Sequence, residues 1–330
     1  MSTTTELTTY AAAIRQALHD ILADDPRAFI YGQDVGGDFG GAFKITKGLA
    51  AAFPGRVLNA PISEDAISGM AVGAAVEGAR PIIEFQFADF ASVAFNQLTN
   101  QAGTVYWRSG RPCPFIARFP CGGVPGSGPF HSQMPENWLG HHPGLIVIAP
   151  ATVADAYGML RQAARQQDPV MFLEHKLLYE RIKDPAFDPS ALVPDLGRAA
   201  IRRIGSDCTI VSWSGMLHLA LETAEELAAA GQADCEVLDL RCLRPFDLQA
   251  VLHSVSRTGR LVVLSEDFPT GSLAAEICAA VAEAGFALLD APPQRVCSLD
   301  TPIPYAPALW DAHRPGRKRL VAAIETAMRF

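Results

Sequence analysis

The chain has few cysteines, and their spacing suits neither a disulfide scaffold nor a zinc site. It contains seven cysteines, an odd number, and no C-x-x-C pair occurs among them. Disulfide-rich domains and zinc ribbons depend on even counts and on such close pairs. We therefore expect reduced thiols in a reducing compartment and a cytoplasmic location. The first ten residues are polar and lack an apolar signal core, which favours the same location.

Long hydrophobic runs and excess positive charge are also missing. No apolar stretch reaches the roughly 18 residues of a membrane-spanning helix without meeting a charge. The most apolar stretch, residues 69–83, is interrupted by Glu77 and Arg80. The 27 lysines and arginines face 35 aspartates and glutamates, which gives a net charge of −8. The sequence thus argues against a membrane protein and against a nucleic-acid binder.

Common nucleotide-binding and hydrolase signatures are absent as well. The glycine-rich stretch at residues 36–41 fits neither G-x-G-x-x-G nor G-x-x-x-x-G-K-[ST], so it predicts a flexible connection and not a phosphate cradle. No G-x-S-x-G motif occurs, which disfavours an α/β-hydrolase.

What the chain does contain is the pattern of an α/β fold. Its 330 residues, 49% of them apolar, suffice for about two domains of roughly 150 residues each. Helical and strand patterns alternate, which is typical of a mostly parallel sheet. The first helix carries Ile14, Leu18, Ile21 and Leu22 on one face and ends at residues 24–26. Strands are predicted at 29–31, 56–59, 81–85, 114–118, 145–149, 170–173, 208–213, 236–240 and 260–264.

A stretch without periodicity divides the two halves. Residues 183–197 are rich in proline and aspartate, which is typical of a linker. We therefore predict a first domain at 1–182 and a second domain at 198–330.

Two residues stand out as candidates for catalysis. Glu64 lies after a strand and at the start of a helix, where ligands of a parallel sheet collect and where the helix N-terminus stabilises negative charge. His131 lies in a loop rich in glycine and proline, a usual location for a catalytic histidine. On position alone, an ordinary helix-start carboxylate and an exposed loop histidine remain the alternatives.

Longer stretches of the sequence are similar to one enzyme family. They are residues 32–35 (GQDV), 61–64 (PISE), 84–90 (EFQFADF), 106–110 (YWRSG), 131–136 (HSQMPE), 236–241 (EVLDLR), 290–292 (DAP) and 300–305 (DTPIPY). In these stretches the chain resembles, over nearly its whole length, the β subunit of the decarboxylating component of 2-oxo acid dehydrogenase complexes. The branched-chain (2-oxoisovalerate) members are closest in motif, and the pyruvate members come next.

The resemblance implies a heterotetrameric, thiamine-diphosphate-dependent enzyme. Its fold is a transketolase-like pyrimidine-binding domain, a parallel sheet with helices on both faces, followed by a transketolase C-terminal-like αβ domain. The family oxidatively decarboxylates a 2-oxo acid and transfers the acyl group to a lipoyl domain of a dihydrolipoamide acyltransferase core. An α subunit with a G-D-G…N motif holds the diphosphate and Mg²⁺, and no G-D-G occurs here. We therefore expect an α₂β₂ assembly in which this chain supplies the aminopyrimidine half of the site.

The resemblance also assigns individual roles. Glu64 is expected to hydrogen-bond the pyrimidine ring and so to promote removal of the thiazolium proton, since a carboxyl group in a dry pocket can share a proton at neutral pH. His131 matches the acid/base histidine that assists acyl transfer. The cofactor-binding positions are Gln33, Ile62, Ser63, Glu64, Gln86 and Phe90. A structural K⁺ site, built mostly from backbone carbonyls, is expected at Cys113, Phe115, Ile116, Ala163, Gln166 and Asp168.

Gln33 departs from the family pattern, which usually has glutamate at this position. The change removes a charge near the cofactor, so either the proton balance or the reaction differs. Three other functions therefore stay open: an acetoin-cleaving β subunit, a carboligase or transketolase half without a lipoyl acceptor, and a non-catalytic docking subunit. The presence of Glu64 and His131 disfavours the last of these.

Overall fold

The computed structural model describes residues 8–191 and 195–330. Residues 1–7 of the predicted first domain and residues 192–194 of the predicted linker lie outside the described residues. In the part of the chain that is described, no helix combines the length and hydropathy needed to cross a membrane.

The chain folds as two compact units that do not follow the sequence order completely. The first unit ends at Leu196 and the second begins at Gly197, but the second also contains Gly122–Asn137. The predicted first domain, 1–182, includes this segment. The structure groups it with the second unit because its hydrogen bonds reach residues there, such as the one from Gly123 to Glu266. The sequence boundaries themselves stay a prediction.

Strands and helices alternate through the first unit. Its strands are β1 (Thr8–Thr9), β2 (Ala28–Gly32), β3 (Val57–Asn59), β4 (Arg80–Glu84), β5 (Ile116–Cys121), β6 (Ile146–Ile148), β7 (Val170–His175) and β8 (Lys183–Asp184). Its helices are α1 (Tyr10–Asp24), α2 (Leu49–Ala52), α3 (Glu64–Val76), α4 (Val105–Ser109), α5 (Glu136–Gly140, which begins in the segment of the second unit), α6 (Val153–Ala163) and α7 (Leu178–Arg181). Short 3₁₀ and π-helical turns lie between β4 and α4.

One parallel sheet forms the centre of this unit. The strand order is β6-β7-β5-β4-β2-β3, and each neighbouring pair is parallel. The carboxyl ends of the strands therefore meet at one edge, where ligands bind in folds of this kind. β1 and β8 form a separate antiparallel pair, so the predicted linker begins with a short strand.

Helix α1 follows directly from its sequence pattern. The side chain of Thr9 accepts a hydrogen bond from the amide of Ala12 and so caps the helix. Its apolar face, where Ile14 and Leu18 are fully buried, packs against α6. The helix ends at Asp24, just before an Asp-Pro pair, because a residue that precedes proline disfavours the helical conformation.

A buried ion cluster lies within the sheet of the first unit. The fully buried Arg118 donates to both carboxylate oxygens of Glu174, at 2.6 and 2.8 Å, and its Nη1 donates to Glu84. The hydroxyl of Tyr179 also donates to Glu174, at 2.8 Å. Burial raises the pKa of Glu84, although Arg118 opposes the effect. One guanidinium thus compensates two carboxylates that have been removed from water.

The second unit contains a smaller sheet flanked by helices. Its strands are β9 (Ala200–Arg203), β10 (Cys208–Ser212), β11 (Cys235–Asp239), β12 (Cys242–Arg244), β13 (Leu261–Leu264) and β14 (Gln294–Val296). Its helices are α8 (Ser214–Ala229), α9 (Leu248–Thr258), α10 (Leu273–Gly285), α11 (Pro307–His313) and α12 (Arg317–Met328). The five-stranded sheet has the order β14-β13-β10-β11-β9, with parallel pairs except at β9. The predicted α/β class is confirmed.

Arg118→Met tests the ion cluster, because it keeps a long side chain but leaves Glu84 and Glu174 buried without their cation. Breaking a buried pair in this way should lower the free energy of unfolding by about 3–5 kcal/mol, as measured by urea denaturation. The control Arg161→Met breaks an ion pair with Asp24, whose side chain is 65% exposed, and should cost about 0–1 kcal/mol. Equal losses in the two variants would contradict this account.

Candidate active site

Glu64 occupies the edge of the first sheet where the parallel strands end. A short connection leads from Asn59, the last residue of β3, to Glu64, the first residue of α3. Glu64 is only 6% exposed. The free amides of a helix start stabilise a negative charge in its first turn. The structure therefore places this carboxylate where the strand-then-helix pattern predicts it.

Gln33 is the hydrogen-bond partner of Glu64. β2 and β3 are parallel, with Gly32 beside Asn59, so the residues that follow them meet at the same edge. Gln33 is 4% exposed, and its Nε2 donates to Oε1 of Glu64 at 3.0 Å. Within the described residues, this is the one side-chain hydrogen bond that the Glu64 carboxylate accepts. A carboxamide makes this contact without adding a second negative charge.

The other predicted cofactor residues lie beside this pair or after a neighbouring strand. Ile62 and Ser63 directly precede the glutamate; Ile62 is 83% exposed and Ser63 is half-buried. Gln86 and Phe90, both half-buried, follow β4, which neighbours β2 in the sheet. The structure thus brings the predicted glutamine and glutamate into contact and places the others after the carboxyl ends of adjacent strands.

Aromatic rings surround the end of β4. Phe90 meets Phe87 edge-on, with ring centroids 6.1 Å apart, and Phe87 meets Phe43 at 5.7 Å. The ammonium group of Lys176 lies 5.5 Å from the Phe87 ring centroid. These rings form an apolar cluster after the carboxyl end of β4, and such a surface suits a flat heteroaromatic ligand.

The glycine-rich stretch at residues 36–41 forms a turn over the ion cluster. The amide of Gly41 donates to the carbonyl of Asp34 at 2.8 Å. Gly41 has a φ of +80°, and a Cβ atom there would lie 2.6 Å from Oε1 of Glu84. Only glycine fits both this conformation and this approach. The stretch therefore serves close packing over Glu84, a role that the sequence pattern did not indicate.

His131 belongs to the second unit, in the segment Gly122–Asn137. It follows a short 3₁₀ helix, Gly128–Phe130, and is half-buried. A hydrogen bond from the amide of Gly122 to the carbonyl of Gln133, at 3.1 Å, closes the segment on itself. The loop position expected for His131 is present, and its catalytic role stays a prediction.

The predicted potassium donors lie where β5 begins and α6 ends. They are Cys113, Phe115, Ile116, Ala163, Gln166 and Asp168. A hydrogen bond from the amide of Cys113 to the carbonyl of Gln167 joins the two segments, and Arg80 donates to the carbonyl of Gln166 at 2.6 Å. A carbonyl oxygen has two lone pairs, so such contacts leave it able to ligate a cation. The potassium site stays a prediction.

In the described ranges, no group of three histidine, cysteine, aspartate or glutamate side chains is placed to hold a metal ion.

Two carboxylates that sequence analysis did not single out lie beside the His131 segment. Glu266 and Asp267 follow β13, and both line a small cavity together with Ser132. Oε1 of Glu266 accepts a hydrogen bond from the amide of Gly123 at 2.7 Å. The signal that could have revealed them is the one that revealed Glu64, namely acidic residues just after a buried parallel strand.

Comparison with known proteins identifies the family. The model of the transketolase pyrimidine binding domain matches residues 7–181, and that of the transketolase C-terminal domain matches residues 197–320. The chain is 40% identical to the mitochondrial pyruvate dehydrogenase E1 component subunit beta-1 of Arabidopsis thaliana, over 96% of this chain and 88% of that one. It is also 40% identical to the mitochondrial 2-oxoisovalerate dehydrogenase subunit beta of Dictyostelium discoideum, over 88% of this chain and 79% of that one. The chain belongs to the E1 β-subunit family of 2-oxo acid dehydrogenases.

A solved structure supports the fold of this E1 β subunit. A split gene transketolase, described as an inactive β₄ tetramer, aligns with a TM-score of 0.80 at 24% identity, over 97% of this chain and 98% of that chain. At this identity the likeness shows the fold alone. The expected family, its oxidoreductase function and the transketolase-like fold are confirmed. The relatives include pyruvate and 2-oxoisovalerate enzymes, so similarity does not decide between these substrates.

Membership of the E1 β family implies thiamine diphosphate as the cofactor and an α subunit as the partner. The residues of this chain fit the pyrimidine half of that cofactor. Gln33 occupies one oxygen of the buried Glu64 carboxylate and leaves the other for a ligand, and the ring of Phe90 adds an apolar surface. A few placed polar groups beside apolar rings form a typical small-molecule site.

Gln33→Glu tests the contact with Glu64. It replaces the donor, now 3.0 Å from Glu64, by a second carboxyl group, and two such buried groups must share a proton. That proton is lost as the pH rises, so kcat of the α₂β₂ enzyme should acquire a fall at alkaline pH that the unmodified enzyme lacks. The control Gln16→Glu creates a similar pair with Asp20, which Gln16 contacts at 2.8 Å on the exposed face of α1. Superimposable pH profiles for all three enzymes would show that Gln33 does not tune Glu64.

Proposed function

We propose that this E1 β subunit supplies the aminopyrimidine half of a thiamine-diphosphate site, with Glu64 as its catalytic carboxylate. The observation that carries the proposal is the hydrogen bond from Gln33, which holds a buried carboxylate at the carboxyl edge of a parallel sheet. Ligands of open α/β sheets bind at this edge. Bound thiamine diphosphate supplies the carbon nucleophile that adds to the keto carbon and accepts the electrons left when CO₂ departs.

The positions of the residues suggest what each one does. Glu64 exchanges a proton at the pyrimidine ring nitrogen, while Gln33 fixes the orientation of its carboxylate. Once an α subunit covers the site, Phe90 and Ile62 would exclude water from the ring, and Gln86 would add a polar contact after the adjacent strand. Hydrogen bonds in such a water-poor site are stronger than in solution, which favours proton exchange between fixed partners.

The diphosphate and Mg²⁺ are assigned to an α subunit that carries a G-D-G…N motif. This chain contains no G-D-G sequence, and its glycine-rich stretch packs over Glu84. The first unit also presents large apolar side chains to solvent, among them Trp107 at 92% exposure and Ile62 at 83%. Exposed apolar surface of this kind is typical of subunit interfaces. An α₂β₂ assembly would cover it.

A potassium ion is proposed at the carbonyls between β5 and α6. Its donors would be the six residues named for this site, with backbone oxygens as the main ligands. Asp168 is exposed at this site and would add negative charge.

His131 is proposed as the acid/base residue for acyl transfer to a lipoyl domain of a dihydrolipoamide acyltransferase core. A histidine changes its charge near neutral pH, so it can give a proton to a thiolate that forms and take one from a thiol that attacks. The residue is half-buried in a loop, so it is partly exposed to solvent.

The substrate is proposed to be a branched-chain 2-oxo acid, with pyruvate as the next candidate. This preference rests on residues 86–90 and 131–136, whose motifs are closer to those of the branched-chain members than to those of the pyruvate members. A larger aliphatic group needs a larger pocket, and each additional methylene contributes about 1–3 kcal/mol of discrimination.

The division of the cofactor between subunits is tested by calorimetry. Thiamine diphosphate with Mg²⁺ should bind to the assembled α₂β₂ enzyme and not to this chain alone, because the chain lacks the diphosphate anchor. A β subunit with Glu64→Gln should still assemble with α, which separates loss of assembly from loss of the pyrimidine contact. Micromolar binding of the cofactor by the isolated β chain would refute the division.

His131→Ala should separate two half-reactions. Acylation of a free lipoyl domain should fall by about 10²–10⁴-fold, the usual contribution of a general acid/base, while decarboxylation with an artificial electron acceptor survives better. The control His141→Ala removes an exposed loop histidine and should leave both rates unchanged. Unchanged rates in His131→Ala would make it an ordinary loop histidine, and equally severe losses would place it in the first chemical step.

A further inference from the structure

The segment that carries Gln33 rests on one residue at both of its ends. Gln33 lies between Gly32, the last residue of β2, and the glycine-rich turn that ends at Gly41. Gly32 is the register partner of Glu84 in the sheet, and a Cβ atom on it would lie 2.7 Å from the carbonyl oxygen of Glu84. A Cβ atom on Gly41 would lie 2.6 Å from Oε1 of the same glutamate. Glu84 therefore supports the segment with its backbone at one end and with its carboxylate at the other.

The turn connects the Glu84 carboxylate to Gln33 over a short distance. The amide of Gly41 donates to the carbonyl of Asp34 at 2.8 Å, so the turn closes on the residue that directly follows Gln33. Next to Asp34, the carbonyl of Val35 accepts a hydrogen bond from the hydroxyl of the buried Thr46 at 2.7 Å. The backbone on either side of Gln33 is thus held in place, and a displacement of Gly41 would be passed to it.

The carboxylate of Glu84 is itself held firmly by the ion cluster. Its Oε2 accepts a hydrogen bond from Nη1 of Arg118. The same guanidinium makes two hydrogen bonds to Glu174, at 2.6 and 2.8 Å, and the three side chains are at most 3% exposed. Separating a buried charge from its partner is strongly unfavourable. A side chain added at position 41 would therefore displace the turn and not the glutamate.

The orientation of the Glu64 carboxylate is sensitive to small displacements of Gln33. The two side chains meet through one hydrogen bond, from Nε2 of Gln33 to Oε1 of Glu64 at 3.0 Å. A shift of about 1 Å would take this pair beyond hydrogen-bond distance. A misplacement of that size in an active site can lower a reaction rate by about 10²-fold, even when its cause lies away from the chemistry.

We propose that Glu84 is a positioning residue for Gln33, and through Gln33 for the carboxylate of Glu64. Arg118 fixes Glu84, and Glu84 fixes both ends of the segment. The segment in turn directs the carboxamide of Gln33 to one oxygen of Glu64, which leaves the other oxygen oriented for a ligand. The effect of this positioning on catalysis rests on the role proposed for Glu64.

Gly41→Ala tests the contact between the turn and Glu84, with Gly37→Ala as its matched control. Gly37 lies in the same turn with a φ of +63°, but a Cβ atom there meets nothing within 4 Å. In the full chain with isotopically labelled glutamine, the carboxamide resonance of Gln33, assigned with Gln33→Ala, reports the hydrogen bond to Glu64. Gly41→Ala should shift this resonance and speed the exchange of its protons with water, because the turn moves. Gly37→Ala should leave both unchanged.

The same variants are then compared in the cofactor-loaded α₂β₂ enzyme. Gly41→Ala should lower kcat for CO₂ release by about 10²-fold, because Gln33 moves away from Glu64. Gln33→Ala removes the donor, so adding Gly41→Ala to it should cause no further loss in a double-mutant cycle. Glu84→Asp withdraws the carboxylate by one methylene and makes room for the new methyl group. Adding it to Gly41→Ala should therefore restore part of the lost kcat.

Glu84→Asp alone covers the case in which Gly41→Ala does not fold. It leaves the turn without its support, so the Gln33 resonance should again shift and kcat should fall. A Gln33 resonance that is the same in Gly41→Ala and Gly37→Ala, or losses of kcat that multiply in the cycle, would overturn the positioning role. If the resonance shifts as expected but Glu64→Gln keeps a normal kcat, the proposed function fails and the positioning of Gln33 stands.

Discussion

Removing a carboxylate from water is the costly step on which the sheet of the first unit and its candidate site depend. Two acidic residues of the first unit lie near the ends of its parallel strands, and each is compensated differently. Glu84 shares the guanidinium of Arg118. Glu64 accepts a hydrogen bond from the neutral amide of Gln33. The first arrangement suits a permanent part of the core, and the second suits a carboxylate that exchanges protons with a ligand.

Much of this could be predicted because local patterns agree with the fold. Alternating strands and helices indicated parallel sheets, and the position of Glu64 between a strand and a helix predicted its place at the ligand-binding edge. The apolar face of α1 predicted its packing. Family motifs then assigned roles to Glu64 and His131 that position alone did not distinguish from ordinary structural ones.

The rest could not be predicted because it depends on contacts between residues far apart in sequence. In the sequence, Gln33 stands out only as the loss of the glutamate charge that the family usually has there. The structure shows that its side chain donates a hydrogen bond to the carboxylate of Glu64, 31 positions away. The segment Gly122–Asn137 groups with the second unit through contacts such as the one between Gly123 and Glu266, which no local pattern encodes. The need for glycine at position 41 likewise follows from a distant contact, because a side chain there would collide with Glu84.

Turnover of a panel of 2-oxo acids by the purified α₂β₂ enzyme tests the central claim most directly. Release of CO₂ with an artificial electron acceptor should be fastest, in kcat/KM, with 2-oxoisovalerate, followed by pyruvate. Acetoin and a transketolase donor should not react, and the α subunit alone should be inactive with all of them. An assembled, cofactor-loaded enzyme that decarboxylates no 2-oxo acid, or that cleaves only acetoin or the transketolase donor, would contradict the account.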